Sequence, residues 1–176
     1  MDSCIKTRYF ETKFGELILG EYEGKICLCD WRFRAKRELV NSRLKTYLKA
    51  DFVEESTVLH EQLIDELQEY FNGKLKQFKT PIFTVGSDFQ QSVWKALLTI
   101  PYGKIITYAS LSKSLGDEKA IRAVASANGA NAIAILIPCH RVIASNGDLQ
   151  GYAGGLLAKK KLLELEGAFN QTSLSL

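Results

Sequence analysis

A chain of 176 residues with 46% hydrophobic and 24% charged side chains is long enough to bury a core and too apolar for wholesale disorder. The net charge of +3 is unevenly placed: residues 1–85 carry 14 basic and 14 acidic side chains, and residues 86–176 carry 9 and 6, so the whole excess lies in the second half. The longest apolar run, "AIAILIP", is too short to span a membrane, and the opening "MDSCIKTRYFE" lacks a signal-peptide core, so a soluble, cytoplasmic protein with no membrane partner is expected.

The first half predicts sheet plus helix. Short β-type runs in "RYFETKFGELILGEYEGKICLCDWRF" are divided by Gly15 and the turn "EGK". "AKRELVNSRLKTYLK" then places Leu39, Val40, Leu44, Tyr47 and Leu48 at helical spacing. "LHEQLIDELQEYFNG" does the same with Leu59, Leu63, Leu67, Tyr70 and Phe71. The polar stretch over 74–86, with Pro81 and Gly86, predicts a linker between a domain at 1–85 and a second at 86–176. Cys27 and Cys29 sit two apart, on one face of a predicted strand. Cys4 and His60 could join them around zinc, but the spacing is no recognised ligand pattern, and small buried apolar side chains are the plainer account. No metal is expected.

In the second half, Ser87 and Gln90 form a capping-box pattern before "FQQSVWKALLTI", with Val93, Trp94, Leu97 and Leu98 inward. After the turn "PYGK", the stretch "IITYASLSKSLG" begins β-like and becomes a short helix that Gly116 ends. Asp117 is placed to cap the next helix, "EKAIRAVASANG". Two short helices around a tight turn make a helix-turn-helix or an ordinary helical hairpin. The second helix puts Ile121, Val124 and Asn128 on one side and Arg122, Ala125, Ser126 and Gly129 on the other. One long cation among small residues suits close approach to a narrow groove and insertion of a single side chain into a base stack, and it equally suits packing against another helix.

"AIAILIP", ended by Pro138, predicts a buried strand or extended segment that delivers Cys139 to the edge of the core. A buried cysteine is usually inert. Here His140 and Arg141 follow at once, and an imidazole could take the thiol proton. Neighbours on a strand point to opposite faces, so that contact needs a bend at Cys139–His140 or a bridging water. Glu164 and Glu166, at the end of the predicted helix "KKKLLELEG", are candidates to orient the imidazole.

Pro138-Cys139-His140-Arg141-Val142 resembles the active-site motif of the O6-alkylguanine-DNA alkyltransferases, the methylated-DNA–protein cysteine methyltransferases. "FQQSVWKALLTIPYGKIITYASLSKSLG", "AIRAVASANGAN", "GYAGG" and "KKKLLELEG" follow that family's order and spacing, densely over 86–167. The resemblance implies an α+β fold: a small ribonuclease H-like N-terminal domain, then a mainly α C-terminal domain with a winged helix-turn-helix. It implies a monomer without cofactor, acting once on alkylated guanine, with O4-alkylthymine a second candidate substrate, from the minor groove of double-stranded DNA. Cys139 would be the alkyl acceptor, His140 its base through a water, Glu166 the holder of His140, and Asn131 the brace of the turn. Tyr108, Arg122, Ala123, Ser126 and Arg141 would meet the DNA, with Tyr108 swinging the nucleotide out and Arg122 filling the gap. The main chain at Cys139 and Val142 would read the base edge, and Tyr152, Ala153 and Gly154 would line the pocket. The chain departs from the family at Ala132, where proline is frequent, and the small Ala134 bears with it on pocket width.

The alternatives are a Cys-His hydrolase, a non-enzymatic alkyltransferase-like protein and a plain winged-helix binder. The first gives Arg122 and the helix-turn-helix no task, the second lacks the acceptor cysteine, and the third leaves His140 and Glu166 unused. A methyltransferase using S-adenosylmethionine would need a Gly-rich strand-to-helix turn that the sequence lacks.

Overall fold

The computed structural model describes residues 3–169 and divides into two compact units, one comprising residues up to Gly86 with Ala132–Leu136, the other Ser87–Asn131 with the residues from Ile137 onward. In the first unit, β1 (Cys4–Thr12), β2 (Gly15–Tyr22) and β3 (Lys25–Trp31) form an antiparallel meander. Glu23 and Gly24 both have positive φ, the requirement of a two-residue hairpin that matches strand twist, and they join β2 to β3. Helix α1 (Arg37–Leu48) carries the chain across the sheet to β4 (Asp51–Glu54), which pairs parallel with β1 and gives the order β3-β2-β1-β4. Helix α2 (Val58–Phe71) follows.

The helical faces are narrower than their spacing predicts. Val40 and Leu44 of α1 are buried, while Leu39 and Tyr47 stand in solvent. In α2, Leu63, Ile64, Leu67, Tyr70 and Phe71 face inward. His60 is buried with them, its Nδ1 accepting from the Thr57 amide while the Thr57 hydroxyl accepts from the His60 amide. That capping box is its structural task, and among the described residues no cluster of three or more His, Cys, Asp or Glu suits a metal. The stretch 74–86 is tied down: Glu66 accepts from the Lys79 and Thr80 amides, and Ile26 exchanges backbone hydrogen bonds with Pro81 and Phe83.

"AIAILIP" does not form a strand. Ile133 makes an isolated parallel bridge with Cys29, and the chain then turns at Ile135, whose φ of 74° lies in a region that β-branched residues avoid. Its apolar character serves burial: Ala132 joins the core of Ile5, Cys27, Leu28, Val40 and Leu44, and the Ala134 amide donates to Cys29 O at 2.6 Å.

The second unit holds α3 (Asp88–Leu97), β5 (Ile106–Thr107), α4 (Tyr108–Ser114), α5 (Ile121–Gly129), a 3-10 turn (Cys139–Arg141), β6 (Val142–Ile143) and α6 (Gly155–Leu165). The Ser87–Gln90 capping box is present in both directions at the start of α3. Val93, Trp94 and Leu97 are buried but Leu98 is not, and Trp94 Nε1 donates to Ala127 O at 2.9 Å, fastening α3 to α5. Asp117 does not cap α5. It accepts from the Lys119 amide in the turn between α4 and α5, and the helix starts later, at Ile121, which is 41% exposed. β5 and β6 pair in parallel, Ile106 with Val142, so the stretch leaving Cys139 runs beside the entry to α4. The described residues thus form a mixed α+β fold with six α-helices, and none of these helices is long and apolar enough to cross a membrane.

Candidate active site

The site lies within the second unit, around the 3-10 turn. That turn supplies the bend a strand could not, so Cys139 and His140 are not forced to opposite sides. Both are buried, Cys139 at 4% exposure. Asn131 Nδ2 reaches two acceptors on the approach to the turn, Ile137 O at 3.0 Å and Cys139 Sγ at 3.2 Å. An amide donor aimed at sulfur favours a sulfur that carries negative charge. Asn128, on the inner face of α5, extends the same arrangement, its Nδ2 lying 3.4 Å from Cys139 O and 3.5 Å from the Tyr108 hydroxyl.

Glu166, at the C-cap of α6, organises the far side of His140. Its Oε1 lies 2.8 Å from His140 Nε2 and 3.0 Å from Arg141 Nη2, and its Oε2 accepts from Arg141 Nε at 2.8 Å and the Gly103 amide at 3.2 Å. Burial alone would raise the carboxyl, but the hydrogen bonds from His140 and Arg141 and the Arg141 charge hold it well below the usual carboxylate range. Burial in turn lowers His140, against the pull of Glu166, so the imidazole is neutral at neutral pH. A neutral ring hydrogen-bonded to a carboxylate through Nε2 carries its proton there. The lone pair is then on Nδ1, which is buried and without a hydrogen-bond partner among the described residues. The site therefore holds a thiol and a vacant imidazole base on adjacent residues.

Tyr108, the first residue of α4, points its hydroxyl at Gln150 O, 3.4 Å away. Burial, with the nearby Cys139 adding to it, pushes that hydroxyl up to about 12, so it keeps its proton and can act as a donor. Arg122, Ala123 and Ser126 lie exposed on the outer side of α5, and Arg122 has no ion pair among the described residues. Tyr152, Ala153 and Gly154 are half-buried on the loop that leads into α6.

Arg141 is a correction. The resemblance put it among the DNA-contacting residues, but it is 7% exposed, forked onto Glu166, and donates to Ile100 O from Nη1 at 2.6 Å. It holds the carboxylate in place. Four other participants escaped the sequence reading. Gly103 sits in "PYGK" with φ 76°, and a Cβ there would stand 2.7 Å from Glu166 O, so only glycine admits the approach. Asn128 was placed on one side of its helix but given no task, and Ile100 was given none. Lys159, first of three lysines, resembles a surface charge, yet it is fully buried and donates to Val142 O at 2.6 Å and Gln150 O at 2.8 Å. Its helical phase was a usable signal, since it stands three and four residues before Leu162 and Leu163.

Residues 88–168 match the family model described as 6-O-methylguanine DNA methyltransferase, DNA binding domain. The chain is 41% identical over 160 residues to a methylated-DNA–protein-cysteine methyltransferase of Methanosarcina acetivorans, spanning 90% of this chain and 96% of that protein. It is 50% identical over 113 residues to the Mycobacterium bovis protein of the same name, over 64% of this chain and 68% of that one. The crystal structure of Mycobacterium tuberculosis OGT in complex with DNA matches with a TM-score of 0.78 at 36% identity, covering 93% of each chain. None of these relatives supports the Cys-His hydrolase alternative. With a thiol, a vacant imidazole and a clamped carboxylate on the matched segment, and likeness along nearly the whole length, the chain belongs to the methylated-DNA–protein-cysteine methyltransferase family.

Proposed function

We propose that this chain repairs DNA by direct, irreversible transfer of an alkyl group from O6 of guanine to the sulfur of Cys139. The observation that carries the proposal is the vacant Nδ1 of a neutral His140, held by Glu166 and adjacent in sequence to a buried thiol that accepts from Asn131. The thiol proton leaves through His140 by way of a water. The sulfur attacks the saturated alkyl carbon, the C–O6 bond breaks, and its electron pair stays with the guanine. The guanine takes a proton from the Tyr108 hydroxyl, which regains one from solvent. The product is a thioether with no carbonyl for water to open, so each molecule acts once.

In this reading α4 and α5 form a winged helix-turn-helix on residues 86–176 and dock in the minor groove of double-stranded DNA. Ala123 and Ser126 permit close approach, Arg122 enters the stack, and Tyr108 turns the damaged nucleotide out. The carbonyls of Cys139 and Val142 read the base edge, and Tyr152, Ala153 and Gly154 wall it in. The N-terminal unit takes the ribonuclease H-like role, and the protein works as a cytoplasmic monomer without a cofactor. O4-alkylthymine is a second candidate substrate.

The test mixes excess O6-methylguanine duplex with a counted amount of protein. A plateau at one equivalent, with the added methyl on the peptide carrying Cys139, is the expected result. Product continuing past one equivalent would overturn single-turnover transfer.

A further inference from the structure

Lys159 has no place in the mechanism above, yet it is a fully buried basic side chain of the second unit. Its ammonium is fully buried, its two hydrogen bonds go to the neutral carbonyls of Val142 and Gln150, and no carboxylate pairs with it among the described residues. The Tyr108 ring face lies 5.8 Å from Nζ, at the outer limit of a cation–π contact. A buried charge is retained only where something compensates it. Glu166 is already spent on Arg141 and His140.

The titratable groups that bear on Lys159 are Tyr108 on α4, whose ring lies 5.8 Å from Nζ, and Cys139 and His140 on the 3-10 turn, which ends one residue before the Val142 carbonyl that Lys159 binds; behind His140, Arg141 and Glu166 are bonded to each other. Tyr108 and His140 are neutral, and Arg141 and Glu166 cancel. With Cys139 as a thiol the set carries one positive charge, that of Lys159. With Cys139 as a thiolate, its proton having passed out through His140, the set is neutral. We infer that Lys159 is the counter-ion of the Cys139 thiolate, a positioning residue that makes the charged nucleophile the electrically balanced state of the site. This deepens the proposed role of Cys139 and rests on it. Burial pulls Lys159 down to about 8 while Cys139 acts to raise it, which agrees with the pairing.

The pairing has a consequence for the spent protein. Transfer turns the thiolate into a neutral thioether, so the counter-charge disappears and the Lys159 ammonium is left uncompensated. Its hold on the third proton weakens once Cys139 is alkylated.

Two measurements test this without requiring DNA repair. In the first, Cys139 is labelled with iodoacetamide across pH in the wild-type chain and in Lys159→Met and Lys159→Arg, each checked for folding by circular dichroism. Labelling at pH 7 should fall about tenfold in Lys159→Met, with the midpoint moved to higher pH, and Lys159→Arg should recover most of it. An unchanged profile in folded Lys159→Met overturns the pairing. In the second, which needs no variant, the lysine side chains of the wild-type chain are titrated by NMR before and after methyl methanethiosulfonate caps Cys139. The Lys159 midpoint should drop by about a pH unit while the exposed lysines stay fixed, and an unmoved Lys159 midpoint overturns the pairing even if Lys159→Met fails to fold. If both measurements succeed and the wild-type chain removes no methyl from O6-methylguanine duplex, the pairing stands and the proposed function falls. If the chain repairs and neither measurement responds, the function stands and the pairing falls.

Discussion

Cys27 and Cys139 are both buried, yet their sulfurs meet opposite partners. Cys27 Sγ donates to Gly20 O at 3.6 Å, an arrangement that requires the proton to stay, and burial pushes the thiol up to about 12. Cys139 Sγ accepts from Asn131 Nδ2. The carboxylates repeat the contrast. Asp30 in the first unit is fully buried between Arg34 at 2.8 Å and Arg37 at 3.0 Å, two cations that never give up a proton. Glu166 is buried between Arg141 and His140. Replacing one arginine by a histidine converts a structural clamp into a site with a vacant base, and reversing one hydrogen bond converts an inert thiol into a nucleophile.

The largest effect that would sharpen this comparison is at the sulfurs. Cys139→Ala should abolish methyl transfer while retaining affinity for O6-methylguanine duplex, whereas Cys27→Ala should leave the one-equivalent plateau in place. Loss of the plateau in folded Cys27→Ala would break the contrast.

At the carboxylates, Glu166→Gln and Asp30→Asn should each cost about 3–5 kcal/mol of unfolding free energy, since each strands buried cations. Only Glu166→Gln should slow alkylation of Cys139 at constant DNA affinity. Chemical denaturation paired with single-turnover kinetics separates the two, and equal slowing in both variants would show that the clamp around His140 has no chemical part.

Arg122→Ala should slow repair of duplex DNA by roughly 30-fold, about 2 kcal/mol of lost compensation for unstacking, and scarcely affect a free alkylated base. Equal losses on both substrates would remove the inserted-arginine role.

The smallest effect contrasts the two histidines. Burial lowers His60 and His140 below their ordinary value near 6.5. Between about pH 6.5 and those lower folded values the unfolded chain binds protons that the folded chain refuses, so stability falls on acidification through that window. Glu166 acts in the same direction at lower pH, its contribution present above its unfolded value and lost as pH falls toward its depressed folded one. Thermal midpoints from pH 4 to 8 should show a shallower acid limb in His60→Leu and in His140→Leu, with only the second losing alkyl transfer.

Adjacent residues and local periodicity made much of this legible in the chain itself. The Ser87–Gln90 box, the α2 face and the order of Cys139, His140 and Glu166 each depend on spacings that a helix or a short motif imposes. The α1 edge residues and Leu98 stand outside the core because periodicity marks a face but not how much of it finds a partner. "AIAILIP" reads as a strand or extended segment because apolar content reports burial, whereas pairing depends on the turn at Ile135 and on which backbone groups of β3 remain open.

What the sequence determined alone is the chemistry available: a thiol, an imidazole, a carboxylate and a lone arginine on a small-faced helix, all in an order that spacing could recognise. What only the tertiary structure decided is which charges face which. Arg141 and Lys159 are written as ordinary basic residues, one after a histidine and one in a lysine run, and nothing local distinguishes them from solvated side chains. Burial made the first a clamp on Glu166 and the second a buried ammonium held by the carbonyls of Val142 and Gln150. Electrostatic energy in a low-dielectric interior depends on distances between residues far apart in the chain, and those distances exist only after folding.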